Sequence, residues 1–175
     1  MLIRLANVFE RINLIVGHSV AWLMLATALI TFATVYFRYV LGIGLIWLQE
    51  SYVWTHAAAI MLGSAFALLS GGFIRVDMLQ QRMSAFQRAL VEILGTLLFL
   101  FPFSGMLLFY GWPFFHRSWR MLESSAYEGG LPAIYLLKGM LLVFAVLLIL
   151  QGMAMLLRNL CILVNGASNH VRTSH

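Results

Sequence analysis

Four long apolar runs, almost free of charge, constrain this chain more than any other feature. They cover residues 14–37, 46–69, 89–112 and 132–157. A helix needs about 20 predominantly apolar residues to cross the hydrocarbon core of a bilayer, and each run is long enough. The first holds no Asp, Glu, Lys or Arg. The others hold one each, Glu50, Glu92 and Lys138, all within about two turns of a run's end. None alternates apolar and polar residues as a membrane barrel strand does. Hydrophobic residues make up 62% of the 175 and charged residues 10%, so a single water-soluble core could not hide the apolar surface. The expected fold is all-α: an integral membrane bundle of four transmembrane helices, one domain over residues 1–160, with a flexible cytoplasmic tail over 161–175.

The single cysteine, Cys161, excludes an internal disulfide, a paired redox motif and a Cys-rich zinc site. The net charge of +5 does not point to nucleic acid, because the basic residues sit mostly in short segments between the runs, where they set membrane orientation. If both termini are cytoplasmic, the inner side holds seven basic residues: Arg4, Arg11, Arg75, Arg82, Arg88, Arg158 and Arg172. The outer side holds four: Arg38, Arg117, Arg120 and Lys138. The bias favours both termini inside, with Trp47, Trp112 and Trp119 as outer interfacial aromatics. The first run is too long for a signal-peptide core and no small-residue cleavage site follows it, so Met1 is expected to stay attached.

Three connecting segments have amphipathic patterns suited to helices lying flat in the headgroup region. Leu2, Leu5, Phe9 and Ile12 form one stripe. Asp77, with Gln80 three residues on, is a candidate cap for a helix bearing Leu79, Met83, Phe86 and Leu90. Phe115, Trp119, Leu122 and Ala126 form the third stripe. The alternative is that each simply extends the neighbouring span. Gly71-Gly72 and Gly129-Gly130 are chain breakers. Pro132 falls in the first turn of the fourth span, and Pro102 should kink the third.

Transport sites in membranes use ionisable residues deep in the bilayer or paired broken helices, and this chain is poor in both. His18 and His56 are poorly matched in depth for ligating a haem between facing helices. They read better as satisfied polar groups inside the bundle. Ala59, Gly63 and Ala67, spaced by four beside Ser64, let another helix approach closely, either within the bundle or from a partner. Arg38, Glu50 and Lys138 sit near one depth, and Glu50 is expected to face protein and pair with Arg38 or Lys138. No catalytic, cofactor-binding or metal-ligating set is expected.

One local order of residues carries a resemblance. The first span ends in Arg38-Tyr39-Val40-Leu41-Gly42. The second opens with Trp47-Leu48-Gln49-Glu50 and passes Gly63. Gly71-Gly72-Phe73-Ile74-Arg75-Val76-Asp77-Met78-Leu79 follows, and Gly130-Leu131-Pro132 precedes the fourth span. This pattern resembles the small integral-membrane subunit of tripartite ATP-independent periplasmic (TRAP) transporters, the DctQ-like family, over roughly residues 6–159. The family's acidic position at the start of span two is often a doubled acid; here it is Gln49-Glu50. The resemblance implies a non-enzymatic subunit of the bacterial inner membrane without a cofactor. Its partner would be a large multi-span subunit that carries substrate and sodium. A periplasmic binding protein would deliver an organic acid such as a dicarboxylate, sialic acid or another sugar acid. The small subunit's role would be to widen and anchor the immobile scaffold. The alternative function is a haem- or quinone-associated membrane anchor of a respiratory enzyme. Arg38, Trp47, Glu50, Gly63, Arg75, Asp77 and Lys138 are the candidate structural or partner-interface residues.

Overall fold

No water in the hydrocarbon core can satisfy backbone N–H and C=O groups, so an apolar run must close its own hydrogen bonds. Each of the four does so as helix. The computed structural model describes residues 2–70 and 83–172. Helix α1 is Leu2–Tyr39 and α2 is Ile46–Leu69. Helix α3, Ala85–Gly95, joins α4, Phe101–Arg120, through one π-helical turn, Thr96–Leu100. Helix α5 is Ile134–Arg172. Among the described residues there is no strand. Four helical stretches are long and apolar enough to cross a membrane: α1, α2, the continuous α3–α4 unit and α5. The fold is the all-α, four-span membrane fold that the runs imply.

Several element boundaries differ from the sequence expectation. The N-terminal stripe is not a separate flat helix, because residues 2–39 form one unbroken helix. Phe115 and Trp119 belong to α4, which runs on to Arg120, while Leu122 and Ala126 lie in the α4–α5 loop. No flat helix forms there, since Leu122 takes φ 45°, a left-handed conformation that ends a right-handed helix. Pro132 precedes α5 rather than entering its first turn, behind Ala133 at φ 77°. Arg75 and the expected cap at Asp77 lie outside the described residues. The cap that opens α3 is Ser84, whose hydroxyl accepts the Gln87 N–H (3.2 Å) while Gln87 Oε1 accepts the Ser84 N–H (3.0 Å). This reciprocal pair is a capping box.

Pro102 lacks the N–H that would bond the carbonyl four residues back. The helix absorbs this in the π turn just before it, where the Phe101 N–H bonds Thr96 O, five residues back. At the end of α1, Gly42 at φ 69° turns the chain so that the Ile43 N–H reaches Phe37 O (2.9 Å), a left-handed helix stop.

Helix α5 is the hub: it packs against α1, α2, α3 and α4. A third of its apolar window (33%) is buried, against 11–17% in the other spans. Small residues explain this centrality. A Cβ on Gly139 would stand 3.0 Å from the Phe115 ring, and one on Gly152 would stand 2.7 Å from the Phe101 ring. The missing side chains let α4 press against α5. Ala65 of α2 with Leu147 and Leu148 of α5 forms the apolar centre.

Candidate functional site

The charged groups gather at the two ends of the bundle. The hairpin end carries the α1–α2 and α4–α5 loops; the terminal end carries the N-terminus and the last turns of α5. At the hairpin end, Glu50 lies half-buried in the second turn of α2. Its carboxylate accepts the Ser125 hydroxyl and the Leu131 N–H (2.5 Å). The loop closes around it: the Ser125 N–H donates to Leu131 O (3.1 Å), the Tyr127 N–H to Ser125 Oγ (3.2 Å) and the Gly130 N–H to Tyr127 O (3.1 Å). A Cβ on Gly130 would stand 2.8 Å from Glu50 Oε2 and would collide with the Ser125 side chain. Only glycine leaves the backbone this close to the carboxylate.

Glu50 therefore faces protein but pairs with neither expected cation. Lys138 Nζ donates to Glu123 Oε2 (2.5 Å), as does the Ser118 hydroxyl (2.5 Å). The Phe114 ring lies 4.2 Å from the same ammonium. Arg38 is exposed at the end of α1. The physical reason is reach. The loop brings a hydroxyl and a backbone N–H onto Glu50, and it holds Glu123 against Lys138, so both charges are satisfied locally. The Lys138 hydrogen bond, then that of Ser118, holds the Glu123 carboxyl below its ordinary 4.5, against a smaller opposing cost of desolvation.

The terminal end is tied likewise. Arg158 Nη2 donates to Glu10 (2.5 Å) and to Asn7 Oδ1 (3.3 Å), linking α5 to α1. Asn159 Nδ2 donates to Glu92 (2.8 Å), linking α5 to α3. Deeper in the bundle, Asn13 Nδ2 donates to Gln151 Oε1 (2.9 Å) with both side chains 1% exposed. Thr27 donates to Thr55 across α1 and α2 (2.9 Å). Glu10, Asn13, Glu123 and Gln151 were not singled out from sequence. For Gln151 a signal was present, since it is the one amide in the fourth apolar run and a lone amide in a membrane helix favours an interhelical bond.

The small-residue seam on α2 faces α1. A Cβ on Gly63 would meet Val20 at 3.2 Å, and the Phe66 side chain fills the space a Gly17 side chain would need. Trp47 is exposed in the first turn of α2. His18 and His56 are both exposed rather than inside the bundle. His18 Nδ1 lies 2.8 Å from Leu14 O, and its ring packs edge-on to Phe66 at 5.8 Å. Phe66 is ten residues from His56, about 15 Å along α2, so the two histidines are not brought together. Among the described residues, no three His, Cys, Asp or Glu side chains gather as metal ligands. A groove of about 580 Å³ opens beside Glu50, lined by Gln49, Tyr52, Trp54 and Tyr127 among others.

No curated protein and no solved structure matches the chain. The family model described as tripartite ATP-independent periplasmic transporters, DctQ component, matches residues 27–162. That stretch takes in the last third of α1 and nearly all of the bundle beyond it, including Glu50, Glu123, Lys138 and Gln151. The chain belongs to the DctQ component family and is a membrane subunit of a TRAP transporter.

Proposed function

We propose that this chain is the fixed, non-enzymatic support of a sodium-coupled TRAP importer of an organic acid. In this reading it widens and anchors a large multi-span subunit that carries substrate and sodium, while a periplasmic binding protein delivers a dicarboxylate, sialic acid or another sugar acid. It sits in the bacterial inner membrane with both termini in the cytoplasm.

One observation carries the reading: the carboxylates of Glu10, Glu50 and Glu92 are committed to hydrogen bonds inside the chain. Glu10 holds Arg158, Glu92 accepts from Asn159, and Glu50 holds the α4–α5 loop. Each lies near a bundle end rather than at mid-membrane. A carrier needs polar groups free to exchange substrate or ions, whereas a support needs them locked. In liposomes with a sodium gradient, the chain alone should import no organic acid, and uptake should require the large subunit and the binding protein. Sodium-driven flux by this chain alone would overturn the support role.

A further inference from the structure

Helix α4 buries Ser104, Gly111 and Ser118 and turns its opposite face outward. Gly105, Phe109, Trp112, Pro113, His116 and Arg120 recur on that face at spacings of one, three and four residues, so they form one continuous strip. Phe109 is 74% exposed and Trp112 is 59% exposed. Two adjoining grooves run along the strip and share Pro113. The first, about 870 Å³, follows Gly105–Pro113 and is lined by Leu108, Phe109, Tyr110 and Trp112 as well. The second, about 580 Å³, lies at the helix end among His116, Arg117 and Arg120.

The two grooves differ in chemistry. Nothing lies within 4 Å of a Cβ position on Gly105, so the apolar groove is open at its Gly105 end. From Gly105 to Pro113 it covers about 12 Å, close to one leaflet's share of a hydrocarbon core about 30 Å thick. The second groove is cationic. Among the described residues, neither the Arg117 nor the Arg120 guanidinium has a side-chain hydrogen bond or ion pair. The nearby carboxylate of Glu123 is taken by Lys138 and Ser118. Trp112 marks the junction, with the His116 ring stacked on it at 6.3 Å and 20°, the depth at which indoles prefer to sit. Two uncompensated guanidiniums above an apolar channel of leaflet length match an acidic headgroup above an acyl chain.

We propose that this face of α4 binds one anionic phospholipid. Arg117 and Arg120, with the His116 ring N–H, take the phosphate, and one acyl chain lies along Gly105–Pro113. A neutral apolar partner would leave both guanidiniums without a counter-charge.

The test uses the full chain in detergent, incubated with phosphatidylglycerol or phosphatidylcholine and read by native mass spectrometry. One phosphatidylglycerol should be retained in preference to phosphatidylcholine. The double variant Arg117→Gln, Arg120→Gln should lose phosphatidylglycerol affinity about thirtyfold, the product of two surface-cation contributions. Both sites are exposed, so its unfolding temperature should match wild type. Arg38→Gln, an exposed cation at the same end, should change nothing. In the assembled transporter, a phosphatidylglycerol analogue with a photoreactive acyl chain should label the Gly105–Pro113 peptide. Equal retention of the two lipids overturns the proposal, as does full retention by the double variant. So does protection of that peptide by the large subunit, which would make the strip a protein interface.

Discussion

A carboxylate in the second turn of a transmembrane helix needs a partner, and Glu50 finds a loop instead of a cation. Its two acceptor bonds, from the Ser125 hydroxyl and the Leu131 N–H, are charge-assisted, a class stronger than neutral pairs. Glu50→Gln should therefore lower the stability of the isolated subunit by about 1–2 kcal/mol, measured by thermal unfolding in detergent. The double swap Glu50→Lys, Lys138→Glu should not restore it, because Lys138 already belongs to Glu123. Recovery by that swap would mean that the two residues interact after all. Glu123 carries a pH dependence of definite sign. Its folded-state pKa lies below the ordinary 4.5, so its contribution is fully present above that value and is lost as pH falls through the lowered one. The gap in unfolding temperature between wild type and Glu123→Gln should thus be constant near neutrality and close below about pH 4.5. A gap unchanged at low pH would show that the ion pair with Lys138 contributes nothing.

Between elements, the decisive feature is how closely helices approach. Gly63 and Gly17 lie in the α1–α2 contact, where Val20 and Phe66 occupy the space that side chains would need. Leucine at Gly63 should therefore cost the isolated subunit about 1–3 kcal/mol through overpacking. Gly63→Ala should cost less, since Val20 need shift only slightly. If Gly63→Leu instead left thermal stability intact and blocked only co-purification with the large subunit, the seam would face a partner. The π turn at Thr96–Leu100 is the other departure from regular helix. It lets the third span carry Pro102 without ending, which keeps α3 and α4 on one continuous path beside α5.

For the whole molecule, one helix holds the others together. The third span meets α5 far more than it meets α1 or α2, so α5 separates the α1–α2 hairpin from the α3–α4 unit. Polar ties reach α5 at each level: Lys138 to the α4–α5 loop, Gln151 to α1, Asn159 to α3 and Arg158 to α1. Such an arrangement resists sliding of one helix past another, as the proposed support role requires. Orientation belongs to this scale too, and the proposed one, with both termini in the cytoplasm, rests on the bias in basic residues. In a Cys161→Ser background, single cysteines at Ile3, Gln80, Ala126 and His170 can be exposed to an impermeant thiol reagent added outside. Only Ala126→Cys should react, and labelling at Gln80→Cys would invert the topology.

The number of spans, the all-helical class and the family were legible in the residues alone. Long apolar runs leave the backbone no choice but helix in lipid, and the Arg38–Gly42 and Trp47–Glu50 stretches are local in sequence. Partnerships were not legible. Depth along a span shows that Glu50, Arg38 and Lys138 lie near one level, but pairing depends on which loop atoms arrive at that level. The left-handed residues Leu122, Gly129 and Ala133 fold the α4–α5 loop back so that Ser125 and Leu131 reach Glu50 first. The hub role of α5 was hidden for a related reason. All four runs are almost uniformly apolar, so hydropathy does not distinguish a buried face from a lipid-facing one. Only the fit of Gly139 and Gly152 against Phe115 and Phe101, and the meeting of Asn13 with Gln151, decided which helix stands at the centre.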